Sequence, residues 1–365
     1  MEKLGITPTR EMFAKDPTRE MFGITPTVEK LFNFLLDPDG GMSVNNLNQI
    51  ESTHEVLMNS YTHADYLDML TYKRPQGSLA QKQFCKKYLE PVFGQPDAAG
   101  NYILVVGPNA DIAFMSHHDT VHRADGRKVV DHSGDYAKAT GDDCLGADCT
   151  TGIYIMLKMI AAKVPGLYIV HAAEEVGCKG SRHIAQNTPE VVAGIKAAIS
   201  FDRYGYKSVI THQMGRRTCS TDFAESLADV IGLGMELDDS GVYTDSNEYT
   251  SIIPECTNVS VGYFHQHTNK EYQDLVFMDL LAEACIIADW SALIIKRQPE
   301  DDLMYDDDIW GDYTIEDAKD MDNLTLVDIV EMFPEEIAVV LESWGYCASG
   351  LLDDIETFKY KRFYN

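Results

Sequence analysis

The chain has 365 residues, 45% of them hydrophobic and 24% charged, enough for one large α/β domain with attachments. Its net charge of −28 disfavours nucleic acid and anionic membrane as partners, and no apolar run reaches the roughly 18–20 residues that cross a bilayer. Eight cysteines without a CxxC pair, and an N-terminus lacking a signal-peptide core, read as free thiols of a cytoplasmic chain.

The first segment, residues 1–44, is read as an arm built on a short repeat. Thr7-Pro8-Thr9-Arg10-Glu11-Met12-Phe13 recurs as Asp16-Pro17-Thr18-Arg19-Glu20-Met21-Phe22 and more loosely from Thr25, with prolines every nine residues. A Thr-Pro or Asp-Pro pair can open a helical turn, so each unit could present its Met-Phe pair to a protein partner. Residues 45–297 carry the pattern of a packed domain. Helix-like stretches at Ile50–Tyr61 and Ser78–Tyr88 precede strands at Tyr102–Val106 and Ile112–Met115. Helix Thr150–Ala162, strand Gly166–His171, helix Ser181–Ala185 and strands Ala197–Phe201 and Ser208–Thr211 follow. Helix Asp222–Ile231, strand Asn258–Phe264 and a long helix from Asp274 to Lys296 complete the domain. This alternation predicts an α/β fold, a mixed, mostly parallel sheet with helices on both faces.

Beyond it, residues 298–322 read as an acidic linker and 323–365 as a small helical appendage, with Pro334 placed to open a helix. Residues 298–365 hold 19 acidic against 4 basic residues, so more than half of the net charge lies in this tail, a second candidate surface for a protein partner.

In α/β sheets functional groups gather beyond the carboxyl ends of the strands. There the sequence places His117 and Asp119 after Ala113-Phe114-Met115-Ser116, Glu174 and Glu175 after His171, Asp202 after Phe201, and His267 after the last strand, while Asp148 stands in a Gly-Ala-Asp loop entering a helix. Two imidazoles and three carboxylates, His117, His267, Asp148, Glu175 and Asp202, suit zinc, or manganese or cobalt, and one carboxylate can bridge two ions. Residues two apart on a strand share a side, so Asp119 is placed to orient His117 while His118 faces away.

The series His117-x-Asp119, Gly146-Ala147-Asp148-x-x-x-Gly152, Glu174-Glu175-x-Gly177, Asp202 and His267-x-x-x-Glu271 resembles the co-catalytic zinc peptidases over roughly Ser78 to Lys296. That clan includes peptidase T, carboxypeptidase G, the aminoacylases and the single-domain zinc aminopeptidases. The resemblance implies two zinc ions bridged by Asp148, with His117 and Asp202 completing one site and Glu175 and His267 the other. It implies Glu174 as general base, with Asp119 in support, and hydrolysis of a peptide or N-acyl amino acid by a water between the ions. Only 65 positions separate Asp202 from His267, and 31 separate His117 from Asp148, too few for the inserted domains of the larger members. A single catalytic domain without a lid, aminopeptidase-like, is expected. Cys149 stands where the family often has a second aspartate.

Rival groups are weaker. Asp142-Asp143 lacks the Gly-Ala approach to a helix, His265 lacks a glutamate four residues on, and Cys144, Cys149 and Cys178 lack paired spacing. Asp245 could line the pocket or cap a loop. Two alternatives keep the fold: a catalytically silent binding or assembly component, and a single-zinc acyl transferase of the glutaminyl-cyclase kind. Substrate-binding residues are not identified.

Overall fold

The computed structural model describes residues 61–108 and 110–299, together with the helix Pro334–Ser343. The repeat arm at 1–44, most of the predicted helix Ile50–Tyr61, nearly all of the linker at 298–322 and the rest of 323–365 lie outside the described residues.

Seven strands form the central sheet: β1 Tyr102–Val106, β2 Ile112–His117, β3 Gly166–His171, β4 Ala197–Arg203, β5 Ser208–Ile210, β6 Glu236–Asp238 and β7 Glu255–Ser260. Their order is β6-β5-β7-β4-β2-β3-β1. β3, β2, β4 and β7 run parallel to one another, β5 pairs in parallel with β6 but meets β7 antiparallel, and β1 joins β3 antiparallel. The sheet is therefore mixed and mostly parallel. Four helices support it: α1 Ala147–Ala161, α2 Lys179–Asn187, α3 Thr221–Ile231 and α4 Leu275–Ile287.

The inner strands are near-continuous apolar runs because both of their faces are covered. Ile112 and Phe114 of β2 enter a core with Tyr168, Ile199 and Phe201, which receives Ile153 of α1, Phe223 of α3 and Leu281 of α4. The alternate residues Ala113, Met115, Leu167, Ile169 and Ala198 enter a second core with Ile184 of α2 and with Tyr249 and Ile253. Helix α1 is apolar nearly all round, as a helix pressed into a large core must be. It lies close to the sheet. A Cβ on Gly152 would stand 2.3 Å from the Phe201 carbonyl oxygen and 2.8 Å from Ser116 Oγ and Cys149 Sγ.

Two predicted elements are corrected. The run Asn258–Phe264 is not one strand, because β7 ends at Ser260 and Tyr263–Phe264 belongs to another sheet. Gly262, at φ +90°, makes the break, and a Cβ there would meet Phe277 at 2.6 Å. The long helix stops at Ile287 rather than Lys296, followed by a short turn at Trp290–Ala292 that the Asp289 carboxylate caps. Lys296 and Arg297 instead donate their backbone N–H groups to Glu255 Oε1, at 2.7 and 2.9 Å.

The second sheet has four short strands, ordered Tyr263–Phe264, Tyr272–Asp274, Tyr136–Lys138 and Asp131–Ser133. It carries the loop between Phe264 and Tyr272. The interval from Asp202 to His267 is otherwise taken up by β5, a hairpin of His212–Gln213 with Arg216–Arg217, α3, β6, a 3-10 turn at Asp245–Tyr249 and β7, with no inserted domain among them. Among the described residues no helix is long and apolar enough to cross a membrane.

Candidate metal centre

β4, β2 and β3 lie side by side and parallel, so their carboxyl ends open on one edge. Pairing sets the levels of the side chains. His117 is opposite His171, and Met115 opposite Ser200, which brings Asp202 level with His117. Asp148 approaches over this edge at the start of α1. It and Cys149 depart from helical φ/ψ and are joined by a cis peptide.

The five predicted ligand residues converge. His117 Nε2 lies 3.1 Å from Asp148 Oδ1 and 3.3 Å from Asp202 Oδ1. His267 Nε2 lies 3.1 Å from the other oxygen, Asp148 Oδ2, and 3.3 Å from Glu175 Oε2. One carboxylate thus faces two imidazoles, each accompanied by a second carboxylate. His117 Nδ1 is 3.1 Å from the Asp119 carbonyl oxygen, which can only accept, so this nitrogen carries a proton and Nε2 faces the acids. Carboxylate oxygens around a lone pair repel it, so a proton or another cation must stand between them.

The electrostatics agree. Burial alone would lower the pKa of His117, but Asp202, Asp119 and Asp148 raise it well above the usual imidazole range. His267 is raised in the same way, against its burial, by Glu175 and Asp148. Glu175 is pushed up to about 7 by burial and by Asp148, and Asp202 to about 6 by burial and Asp148. These are acids short of positive charge. Glu175 Oε1 is buried with no hydrogen-bond partner. An unsatisfied buried carboxylate oxygen beside nitrogen and oxygen donors is what a divalent cation would satisfy, so the residues present fit such ions.

The remaining predicted residues are also placed. Asp119 is fully buried, its oxygens accepting the Glu174 N–H at 3.1 Å and the Glu175 N–H at 3.2 Å, with Oδ1 3.5 Å from His117 Nδ1. It ties the glutamate turn to the histidine. Glu174 lies beside Cys178, whose thiol donates to Oε1 at 3.6 Å. Its pKa is raised by burial and then by Asp202, Glu175 and Asp245, against His117. His118 points away and is buried between Gln81 and the Gly100 carbonyl. His265 is exposed, against Tyr272. Asp142 is exposed, and Asp143 stands 3.8 Å from Lys73. Asp245 does not line a cleft: it is buried, accepting from Ser181 and 3.2 Å from His171 Nδ1.

The seven described cysteines are buried and form no disulfide with one another. Cys149, at the position of the family's second aspartate, donates to the Phe201 carbonyl at 2.7 Å and receives Ser116 Oγ at 3.1 Å. His122, Asp143 and Cys144 form another group close enough to share a metal. There Lys128 Nζ already stands 2.8 Å from His122 Nε2, which disfavours a second cation.

Sequence reasoning missed the supports of Asp202: Thr244 Oγ1 donates to Oδ2 at 2.8 Å, and Asn258 Oδ1 receives its backbone N–H at 2.9 Å. No local motif announces them, since they reach Asp202 from 42 and 56 residues away.

The described body matches aminopeptidase PepT from Bacillus cereus with a TM-score of 0.50 at 17% identity, covering 64% of this chain and 96% of that one. It matches a tripeptidase from Staphylococcus aureus with a TM-score of 0.50 at 14% identity, covering 64% and 96%. The chain shares the fold of these two peptidases. At these identities the likeness is one of architecture. No protein-family model and no curated protein matches the sequence. In this fold the acid-and-imidazole cluster sits where open α/β sheets place their ligands, beyond the strand ends.

Proposed function

We propose that the chain is a metal-dependent hydrolase of peptide amide bonds, with an amino-terminal residue as the preferred substrate element and an N-acyl amino acid as the variant. The observation that carries the reading is the Asp148 carboxylate, each oxygen 3.1 Å from a different imidazole. In this reading His117 and Asp202, with Asp148, would hold one divalent ion, and Glu175 and His267, with the same Asp148, would hold a second, zinc first and manganese or cobalt in its place. When bound, such a pair supplies Lewis acidity and a water of lowered pKa.

The chain's own groups do the rest. Glu174 takes a proton on its carboxylate and delivers it to the leaving amine, and its burial among other acids makes it a stronger base than an exposed glutamate. Asp119 keeps this turn in register with His117 through the two backbone N–H groups it accepts. The His267 side chain is 37% exposed, whereas that of His117 is 1% exposed, so substrate enters from the His267 side. Residues 45–297 form the catalytic unit in this reading, and the repeat arm and acidic tail are attachments for a protein partner.

Glu174→Gln tests the reading. Turnover of aminoacyl substrates falls by about 10²–10⁴-fold, the usual worth of a general base, while metal content stays at the wild-type level. Undiminished turnover refutes it. One ion per wild-type chain favours a single-metal acyl transferase, and none favours the silent fold.

A further inference from the structure

Glu271 is 1% exposed, and its two oxygens accept four consecutive backbone N–H groups. Leu145 and Gly146 donate to Oε2 at 2.8 and 3.0 Å, and Ala147 and Asp148 to Oε1 at 2.8 and 3.2 Å. These are the approach to α1 and its first residues, whose N–H groups have no partner within the helix. Glu271 therefore caps α1 from a loop more than 120 residues away in sequence. The same loop holds His267, whose neighbours from Thr268 to Lys270 are exposed.

The two halves of the candidate centre are thus mounted differently. His117 and Asp202 stand on adjacent central strands, and Asp202 has its own supports in Thr244 and Asn258. His267 and the Asp148 loop are joined across the mouth by Glu271. Its backbone adds to the clasp: the Glu271 carbonyl accepts the Ala139 N–H at 2.9 Å, and its N–H donates to Thr268 at 3.2 Å.

Resting on the two-metal reading above, we propose that Glu271 is a positioning residue for the second metal subsite: by holding the Asp148 loop from the His267 loop, it steadies two side chains of the Glu175–His267 subsite but only the shared Asp148 of the His117–Asp202 subsite, so its loss weakens the former more. A glutamine at this position keeps the shape but turns an NH₂ group toward two backbone donors, so about half of the clasp opens.

The experiment is zinc binding to the full chain by chelator competition, for wild type, Glu271→Gln and His267→Ala, each checked as folded by circular dichroism. With two ions in wild type, Glu271→Gln binds one about 10–100-fold more weakly, the usual effect of losing a supporting partner, and the other with a clearly smaller loss. His267→Ala loses the same ion and retains the other. Two ions at wild-type affinity in folded Glu271→Gln overturn the proposal, and so does equal weakening of both. A wild-type chain that binds no zinc overturns the two-metal reading itself, a result visible without any variant. Should Glu271→Gln not fold, hydrogen exchange of chelator-treated wild type decides. Slow exchange at amides 145–148 supports a clasp that exists before metal, and exchange at unprotected rates overturns it.

Discussion

Replacing His118 by glutamine separates two adjacent histidines with opposite electrostatics. His118 Nε2 faces the Gly100 carbonyl at 3.1 Å, so it carries the proton, and Nδ1 lies 3.0 Å from the Gln81 amide nitrogen, so it accepts. The neutral ring is saturated, and a second proton would meet an N–H donor. Burial, with the nearby charges of Arg74 and His117 adding to it and Asp119 opposing, lowers its pKa to about 4. The unfolded value is about 6.5, so between those limits the unfolded chain binds a proton that the folded chain refuses. Stability therefore falls with pH across this window, by about 3 kcal/mol in all and by about 2 kcal/mol between pH 7 and pH 5. His118→Gln loses the ring's hydrogen bonds at every pH but loses this slope too. Urea unfolding of both proteins in chelator at pH 7, 6 and 5 should show the wild type's lead shrinking by about 2 kcal/mol as pH falls. Parallel pH profiles, or a lead that grows toward acid, would refute the assignment of a buried neutral imidazole.

Two further outcomes follow from the packing and the ligand set. Gly152→Ala forces a methyl group against the Phe201 carbonyl and Ser116, pushing α1 off the sheet, and should cost about 1–3 kcal/mol in urea unfolding; an unchanged midpoint would show that α1 has room to move. Zinc at about a hundredfold excess over its dissociation constant should add about 2.7 kcal/mol to stability, raising the melting temperature by roughly 5–10 °C. His117→Ala should show a markedly smaller rise, and an equal rise in both proteins would remove His117 from the site.

Much of the centre was legible because its side chains sit where polarity is anomalous. His117 and Asp202 stand at the carboxyl ends of largely apolar strands and Glu174 and Glu175 just beyond another, and the limits of β1 and β3 match the prediction. Asp148 was found through its Gly-Ala approach, a local signal. What failed was long-range. The break at Gly262 is made by packing against Phe277 and by pairing with a sheet whose strands are two or three residues long, too short to show a period. The overlong helix gives way after Ile287 to a short turn capped by Asp289, and the Lys296 and Arg297 N–H groups go to Glu255, some 40 residues back, a competitor that no helical pattern records. Glu271 was noticed only for its spacing from His267; its grip on residues 145–148 is a tertiary fact. The same limit hid the partners of Asp245, whose apparent polarity in a loop concealed a buried network.

The two borders of the central sheet are unlike each other. β6 ends it with Glu236 and Asp238 flanking an exposed Leu237, and β1 ends it with Tyr-Ile-Leu-Val-Val, uncharged throughout, where Val105 is 61% exposed. Acidic side chains along a border discourage an incoming strand, whereas an apolar one with free backbone groups accepts it. Among the described residues β1 pairs only with β3. The two borders therefore offer a neighbour different chemistry: an uncharged row with Val105 exposed on one side, and on the other two acids already engaged by Lys207 and Arg203.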